Sequence, residues 1–240
     1  MYGESDGYGK DYLYNFFDKL NEAGYYSVMF PYDPFINDWM IKVMPVTRQE
    51  HSLKYIFALR TYAISPEYTC MMFQQFNEYF PNRSMINVLA GDKFQMEKEK
   101  KIRGALFEED FFENSEKRIL YTQKWLDKFV NLPILKYKPE MLMTGVSNLT
   151  LDSVKKYADY SGCMIDAYRE NPDRYNSVSD KRIGVAFCFV TENQKEYEDF
   201  EIKLKSSEKD LYERFTLYGN YDQIIQKIQE LKNKVVKIEK

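Results

Sequence analysis

Several common building materials are scarce in this chain. Glycine occurs 10 times in 240 residues, about 4% against a usual ~7%. There is no Gly-x-Gly-x-x-Gly stretch and no phosphate-binding Walker loop, so the usual dinucleotide and nucleoside triphosphate motifs have no support. His51 is the only histidine, which excludes a multi-histidine metal centre. The three cysteines, Cys70, Cys163 and Cys188, are an odd and widely spaced set. They form no metal-binding pattern and point to a reducing, cytoplasmic setting. No apolar run reaches the ~18 residues that a membrane span needs, and the first residues lack the basic start and apolar stretch of a signal peptide. Neither sign of charge dominates: 34 Lys and Arg face 37 Asp and Glu, a net charge of −3. That balance argues against a nucleic-acid binder working through bulk positive charge. What is plentiful is apolar and aromatic matter, at 44% and 17%, with 21 Tyr and 17 Phe. The chain can build a sizeable core.

Helical and strand-like segments alternate. The spacing predicts helices over 11–23, 66–80, 114–130, 149–160, 192–207 and 220–233. Gly24 is a natural stop for the first, and Ser65 with Pro66 makes a natural start for the second. Strands are expected at Tyr25–Phe30, Leu53–Leu59, Met85–Leu89, Glu140–Thr144, Gly162–Ile165 and Arg182–Val190, and a short one at Val235–Ile238. Residues 93–112 read as a loop or a partly helical excursion. Strands alternating with helices imply parallel β-structure with helical crossovers, and one α/β domain over residues 1–240 is the simplest organisation. Six strands are clear, whereas a closed (β/α)₈ barrel needs eight. Missing end strands would leave a sheet edge open to pairing with another chain, a homo-oligomer included.

In parallel α/β folds function sits where the strands end. Gly145-Val146-Ser147-Asn148 offers backbone N–H groups and a hydroxyl just before a helix, which suits a phosphate and equally suits an ordinary capping turn. Asn87 lies inside an apolar strand, so its amide must bond to backbone or to a ligand. Cys188, between Phe187 and Phe189, reads as a small core residue. His51 reads as a solvated histidine in a polar turn. The run Glu97–Lys101 reads as a solvated face, and the stripes Tyr12, Phe16, Phe17 and Phe73, Phe76, Phe80 as helix faces packed on a core.

One series of residues goes further. Ala23-Gly24-Tyr25-Tyr26-Ser27-Val28, Asp38-Trp39, Met44-Pro45-Val46-Thr47, Leu53 to Arg60, Ser65-Pro66 and Asn87 to Asp92 follow one another in order. Over residues 25–92 the chain resembles the luciferase-like flavin monooxygenases, most of all the alkanesulfonate monooxygenase branch. Looser landmarks follow at Glu116-Lys117-Arg118, Thr144 to Ser147, Tyr157-Ala158-Asp159, Lys181 to Gly184 and Gly219 to Asp222.

The resemblance implies a TIM-type (β/α)₈ barrel, incomplete at its first and last strands. It also implies a two-component monooxygenase that takes reduced FMN from a separate flavin reductase and uses O₂ to oxidise a small organic substrate, a sulfonate among the candidates. A deazaflavin, used by relatives on this barrel, is the other cofactor in view. By position, Ala58, Asn87 and Gly91 would lie at the flavin ring, Gly145 and Ser147 at its phosphate, and Asp38, Trp39 and Arg60 towards the substrate. Asn114, Arg118 and Cys188 would hold the catalytic positions.

The departures concern the same functions. Pro31–Trp39 lacks the branch's cysteine, and Asn114-Ser115-Glu116-Lys117-Arg118 replaces a His-x-Glu-Arg-Tyr motif. Ala186 and Cys188 stand where the branch has Arg and His, and no long insertion lies between Arg214 and Gly219. The alternatives are therefore a flavin binder of the same fold without turnover, or a scaffold that binds partners only.

Overall fold

The computed structural model describes residues 10–22, 24–30, 32, 39–91, 96–134, 136–145, 147–164, 177–178, 180, 182–185, 187–205, 215–220 and 222–227. Two compact units divide the chain after Ser161.

The first unit is a parallel sheet covered by helices. It runs α1 (Lys10–Glu22), β1 (Ser27–Phe30), α2 (Trp39–Val43), β2 (Lys54–Arg60), α3 (Pro66–Tyr79), β3 (Ser84–Leu89), α4 (Met96–Arg103), α5 (Ser115–Val130), β4 (Glu140–Thr144), α6 (Asn148–Tyr157) and the start of β5 (Tyr160–Met164). The strand order is β1-β2-β3-β4-β5, and the first three pairings are parallel. The expected β-α alternation is therefore present, with Glu140–Thr144 at the bounds read from sequence.

Period-two alternation sorts the strands onto two faces. Phe30, Tyr55 and Phe57 turn to the helices. Phe17 of α1 and Phe73 and Phe76 of α3 meet them edge-on, with ring centroids 5.3–6.1 Å apart. Such contacts add about 0.5–1.5 kcal/mol per pair beyond burial. Of the aromatic stripes read from sequence, Phe17, Phe73 and Phe76 are thus core, Phe80 is partly buried, Phe16 is exposed, and the Tyr12 side chain lies outside the described residues. α3 starts as Ser65 and Pro66 dictate: the Ser65 hydroxyl accepts from the Tyr68 N–H at 3.2 Å.

The opposite face of the sheet is layered along the strands. Lys54 and Glu140 meet at 2.6 Å at its lower end. Ile56, Met85 and Leu142 pack above them. Ala58 pairs in register with Asn87, and Arg60 with Leu89, at the C-terminal end.

In the second unit β6 (Arg182–Val185) and β7 (Phe187–Val190) replace the single strand expected over Arg182–Val190. α7 (Gln194–Lys205) follows, and β8 (Phe215–Gly219) pairs parallel with β7. β8 was not anticipated from sequence. The expected Val235–Ile238 strand lies outside the described residues.

Two local readings need correction. His51 is not a solvated surface residue: it is buried, and its Nε2 lies 2.9 Å from Asp18 Oδ1 of α1. The segment Glu97–Lys101 is not a uniformly solvated face, because Glu99 is 0% exposed. The excursion folds as α4, and Glu99 stands one turn before Arg103, 3.6 Å from its Nε.

Candidate functional site

The site grows from the C-terminal ends of β2, β3 and β4. Asn87 is the most informative residue there. It is 3% exposed, its Nδ2 reaches only the Met29 sulfur at 3.4 Å, and its Oδ1 is buried with no hydrogen-bond partner among the described residues. A buried amide oxygen left unbonded costs about 1–3 kcal/mol. Ala58, its register partner on β2, is small and half-buried. Gly91, just past β3, has φ +105°, a conformation that L side chains avoid. The three residues expected at a flavin ring therefore share one end of one sheet face, or the turn that leaves it.

The phosphate candidates are also adjacent, but their local roles are structural. Ser147 caps α6: its Oγ accepts from the Thr150 N–H at 3.2 Å and shares a hydrogen bond with the Thr150 hydroxyl at 2.8 Å. A Cβ on Gly145 would meet the Thr150 methyl at 2.5 Å, so packing alone requires glycine there. The cap leaves the first-turn N–H groups of Asn148 and Leu149 as the donors an α-helix cannot use internally. These backbone groups, at the positive end of the helix, are what a phosphate would meet.

Arg60 closes β2 on the same face, two residues beyond Ala58 and so about 6.6 Å further along. It is 2% exposed, and its guanidinium lies 5.8 Å from the centre of the Tyr32 ring. Asn114 caps α5 by accepting from the Lys117 N–H at 3.1 Å, so its carboxamide oxygen serves the helix end. Arg118, one turn into α5, is buried, and its Nη1 donates to the Phe112 carbonyl. Asn114 thus has a structural explanation, and the Arg118 guanidinium is held by a backbone carbonyl. Asp38 and the side chains of Trp39 and Cys188 lie outside the described residues.

The sequence reading missed four members of this end of the sheet: Tyr32, Tyr62, Glu99 and Arg103. Arg103 Nη2 lies 3.4 Å from the Tyr32 hydroxyl. Burial pushes the Tyr32 phenol above its ordinary range, the Glu99 carboxylate adds to this, and Arg103 and Arg60 oppose it. Burial raises the Tyr62 phenol far more, with Arg60 opposing and Glu99 reinforcing. Both tyrosines stay protonated at neutral pH; the Tyr32 hydroxyl accepts from Arg103, and the buried Tyr62 hydroxyl has no hydrogen-bond partner among the described residues. The signal available was the spacing of Glu99 and Arg103, an i,i+4 pair in a segment read as a loop or a partly helical excursion. Among the described residues, no group of three or more His, Cys, Asp and Glu side chains is placed to hold a metal, and no helix is long and apolar enough to cross a membrane.

A parallel, helix-covered sheet with its polar residues gathered at the strand ends belongs to the α/β-barrel class. Solved structures of that class match the chain. One is a type II Baeyer-Villiger monooxygenase, the oxygenating constituent of 3,6-diketocamphane monooxygenase from the CAM plasmid of Pseudomonas putida, in complex with FMN. It is 14% identical, at TM-score 0.56 over 84% of this chain and 71% of that one. An F420-dependent secondary alcohol dehydrogenase in complex with an F420-acetone adduct is 11% identical, at TM-score 0.59 over 94% and 87%. The EDTA monooxygenase of Chelativorans sp. BNC1 is 10% identical, at TM-score 0.50 over 74% of this chain, which spans about half, 51%, of that protein. No protein-family model matches the sequence, and no curated protein matches it either. The expected fold is thereby established. The alkanesulfonate branch is not singled out among these neighbours.

Proposed function

We propose that the chain is a flavin-dependent monooxygenase that binds reduced FMN at the C-terminal ends of β2–β4 and oxidises a small organic substrate with O₂. The observation that carries this reading is Asn87, a buried amide whose Oδ1 has no hydrogen-bond partner among the described residues, set beside the small Ala58 on a fold shared with an FMN-bound oxygenase. The residues fit the cofactor. The Asn87 carbonyl oxygen would accept a hydrogen bond from a ring N–H. Ala58 leaves space for a flat ring, and the N–H groups of Asn148 and Leu149 would hold the phosphate. When bound, reduced FMN supplies the two electrons that activate O₂. The protein's own contribution is placement: Asn87 orients the ring, and Arg60 and the protonated Tyr32 line the substrate side. In the two-component arrangement a separate flavin reductase delivers the reduced cofactor.

A second reading, a deazaflavin-dependent oxidoreductase, draws on the F420-dependent dehydrogenase, which matches the larger share of both chains. Anaerobic fluorescence titration with FMN, dithionite-reduced FMN and F420 tests both. Tighter binding of reduced FMN, followed by substrate-dependent O₂ uptake when a reductase is added, supports the monooxygenase. Preference for F420 supports the deazaflavin enzyme. Binding without turnover leaves a flavin carrier, and binding of none of the three overturns both readings.

A further inference from the structure

Asn87 has a neighbour that the flavin reading does not use. Its Nδ2 lies 3.4 Å from the Met29 sulfur. Met29 belongs to β1 and Asn87 to β3, so the contact passes over β2. Phe30 turns to the helices, which puts Met29 on the opposite face with Ala58 and Asn87. The register partner of Met29 is Ile56, one step along that face from Ala58. Strands two apart are about 9.5 Å from each other, so the two side chains meet above β2, beside the small Ala58.

Met29 is also open to solution. Among the described residues two methionines are exposed, Met29 at 39% and Met71 at 58%, whereas Met85, Met141 and Met143 are buried. Met71 lies on the solvent side of α3. Met29 differs in that its sulfur faces an amide donor held in a 3%-exposed side chain. A thioether is a weak acceptor and leaves that donor poorly satisfied. A sulfoxide oxygen is the stronger acceptor that the donor lacks.

We propose that Met29 is a site of reversible oxidation by hydrogen peroxide, and that its sulfoxide is held by the Asn87 amide and closes the flavin site. The thioether sulfur attacks one peroxide oxygen, the O–O bond breaks, and the other oxygen leaves as water with both protons. Sulfur gives up two electrons, peroxide takes them, and Met29 carries one added oxygen. The product is polar and larger than the thioether, and methionine sulfoxide reductases reverse it. Its oxygen accepts from Asn87 Nδ2 and intrudes beside Ala58, where the ring is expected. Closure of the flavin site rests on the flavin reading, as does a local source of peroxide, O₂ reduced when no substrate takes its oxygen. Oxidation of Met29 and its capture by Asn87 do not.

The test treats the full chain, free of flavin, with dilute hydrogen peroxide. Peptide mass spectrometry locates the added oxygen, and melting and titration with reduced FMN follow. Met71→Leu is the working background, so that the other exposed sulfur does not contribute. Met29 gains its oxygen before Met85, Met141 and Met143. Oxidation lowers Tm less with Asn87 present than in the Asn87→Leu variant, where the new oxygen meets no donor. Oxidation weakens binding of reduced FMN about tenfold or more, sulfoxide reductase restores it, and peroxide leaves the affinity of Met29→Leu unchanged. Met29→Gln, which sets a permanent amide oxygen beside Asn87, weakens FMN binding without peroxide and gives a second reading if Asn87→Leu does not fold. The proposal is overturned if Met29 is oxidised no sooner than the buried methionines, if Tm falls as far with Asn87 as with leucine, or if FMN affinity survives oxidation. Untreated protein that binds no FMN removes the flavin reading, and the mass and melting results then still decide the modification.

Discussion

Replacing Asn87 with leucine should move stability and cofactor binding in opposite directions. The side chain is buried, and its Oδ1 has no partner among the described residues. Among the described residues its Nδ2 reaches only the Met29 sulfur at 3.4 Å, a weak acceptor. Leucine has the same branched heavy-atom skeleton, somewhat bulkier, and nothing to leave unbonded. The substitution removes a desolvation penalty of about 1–3 kcal/mol and loses one weak contact. Allowing for imperfect fit, Asn87→Leu should stabilise the ligand-free protein by about 1 kcal/mol, or roughly 2–4 °C in Tm for a chain of this size. The same change deletes the acceptor offered to the flavin, so reduced FMN should bind about 10- to 100-fold more weakly, the cost of one buried hydrogen bond left unmade. Calorimetric melting without ligand, then fluorescence titration with reduced FMN, reads both quantities on one sample. A variant that melts lower and binds FMN as before would refute the reasoning, because Asn87 would then be a satisfied structural amide.

Other expectations follow from neighbouring residues. Ser147→Asp keeps a good helix cap but sets a negative charge where the phosphate would lie, so FMN should bind more weakly while riboflavin binding and Tm stay near wild type; equal loss for both flavins would remove Ser147 from the phosphate side. Gly145→Ala drives a methyl into Thr150, 2.5 Å away, and should cost about 1–3 kcal/mol in urea unfolding, with Thr150→Ser restoring part of it; no rescue would mean that the backbone sets the cost. Phe76→Ala, which empties the contact with Tyr55 and Phe57, should cost about 3–5 kcal/mol, and a loss under 1 kcal/mol would show that the helix face is not core. Burial lowers the Lys54 ammonium pKa, but its hydrogen bond to Glu140 outweighs this, so the folded-state pKa is raised. Its contribution to stability is therefore complete below about pH 10.4 and is lost as pH rises through the folded value. Lys54→Met should flatten the alkaline limb of a stability-versus-pH curve, and an unchanged limb would contradict the pairing.

Much of the first unit was legible because its signals are local. Ser65 and Pro66 specify a helix start whatever surrounds them, and apolar runs such as Met85–Leu89 are strands in any parallel sheet. The fold class followed from the order of these elements. What escaped depended on distant partners. His51 sits in a polar turn and is buried only because Asp18 of α1 reaches it. Glu99 lies in a run of charges, and only the fold shows that it is buried, one turn from Arg103. Phe215–Gly219 carries Thr216 and ends in glycine, so its pattern is not a continuous apolar run, and it becomes a strand where β7 offers it an edge. Of the candidate site, the resemblance pointed to Ala58, Asn87 and Arg60, which the sheet register sets along one face. Asn114 and Ser147 sit where motif and capping preference coincide, and the sequence cannot separate those two causes. Tyr32, Tyr62 and Arg103 belong to no motif and could be found only by their convergence.

The order of strands in the first unit is also the order in which they are made. Val28 pairs with Tyr55, 27 positions later, and Ile56 with Met85, 29 positions later. Ile86 waits 55 positions for Met141, and doubling a loop in this way adds only about 0.6 kcal/mol to its closure. Each new strand leaving the ribosome finds its neighbour already synthesised and never has to insert between two paired strands. Ala58, Asn87 and Gly145 are all in hand once β4 has emerged, before any residue of the second unit exists. The nascent chain can assemble the floor of its own binding face in a single pass from the N-terminus.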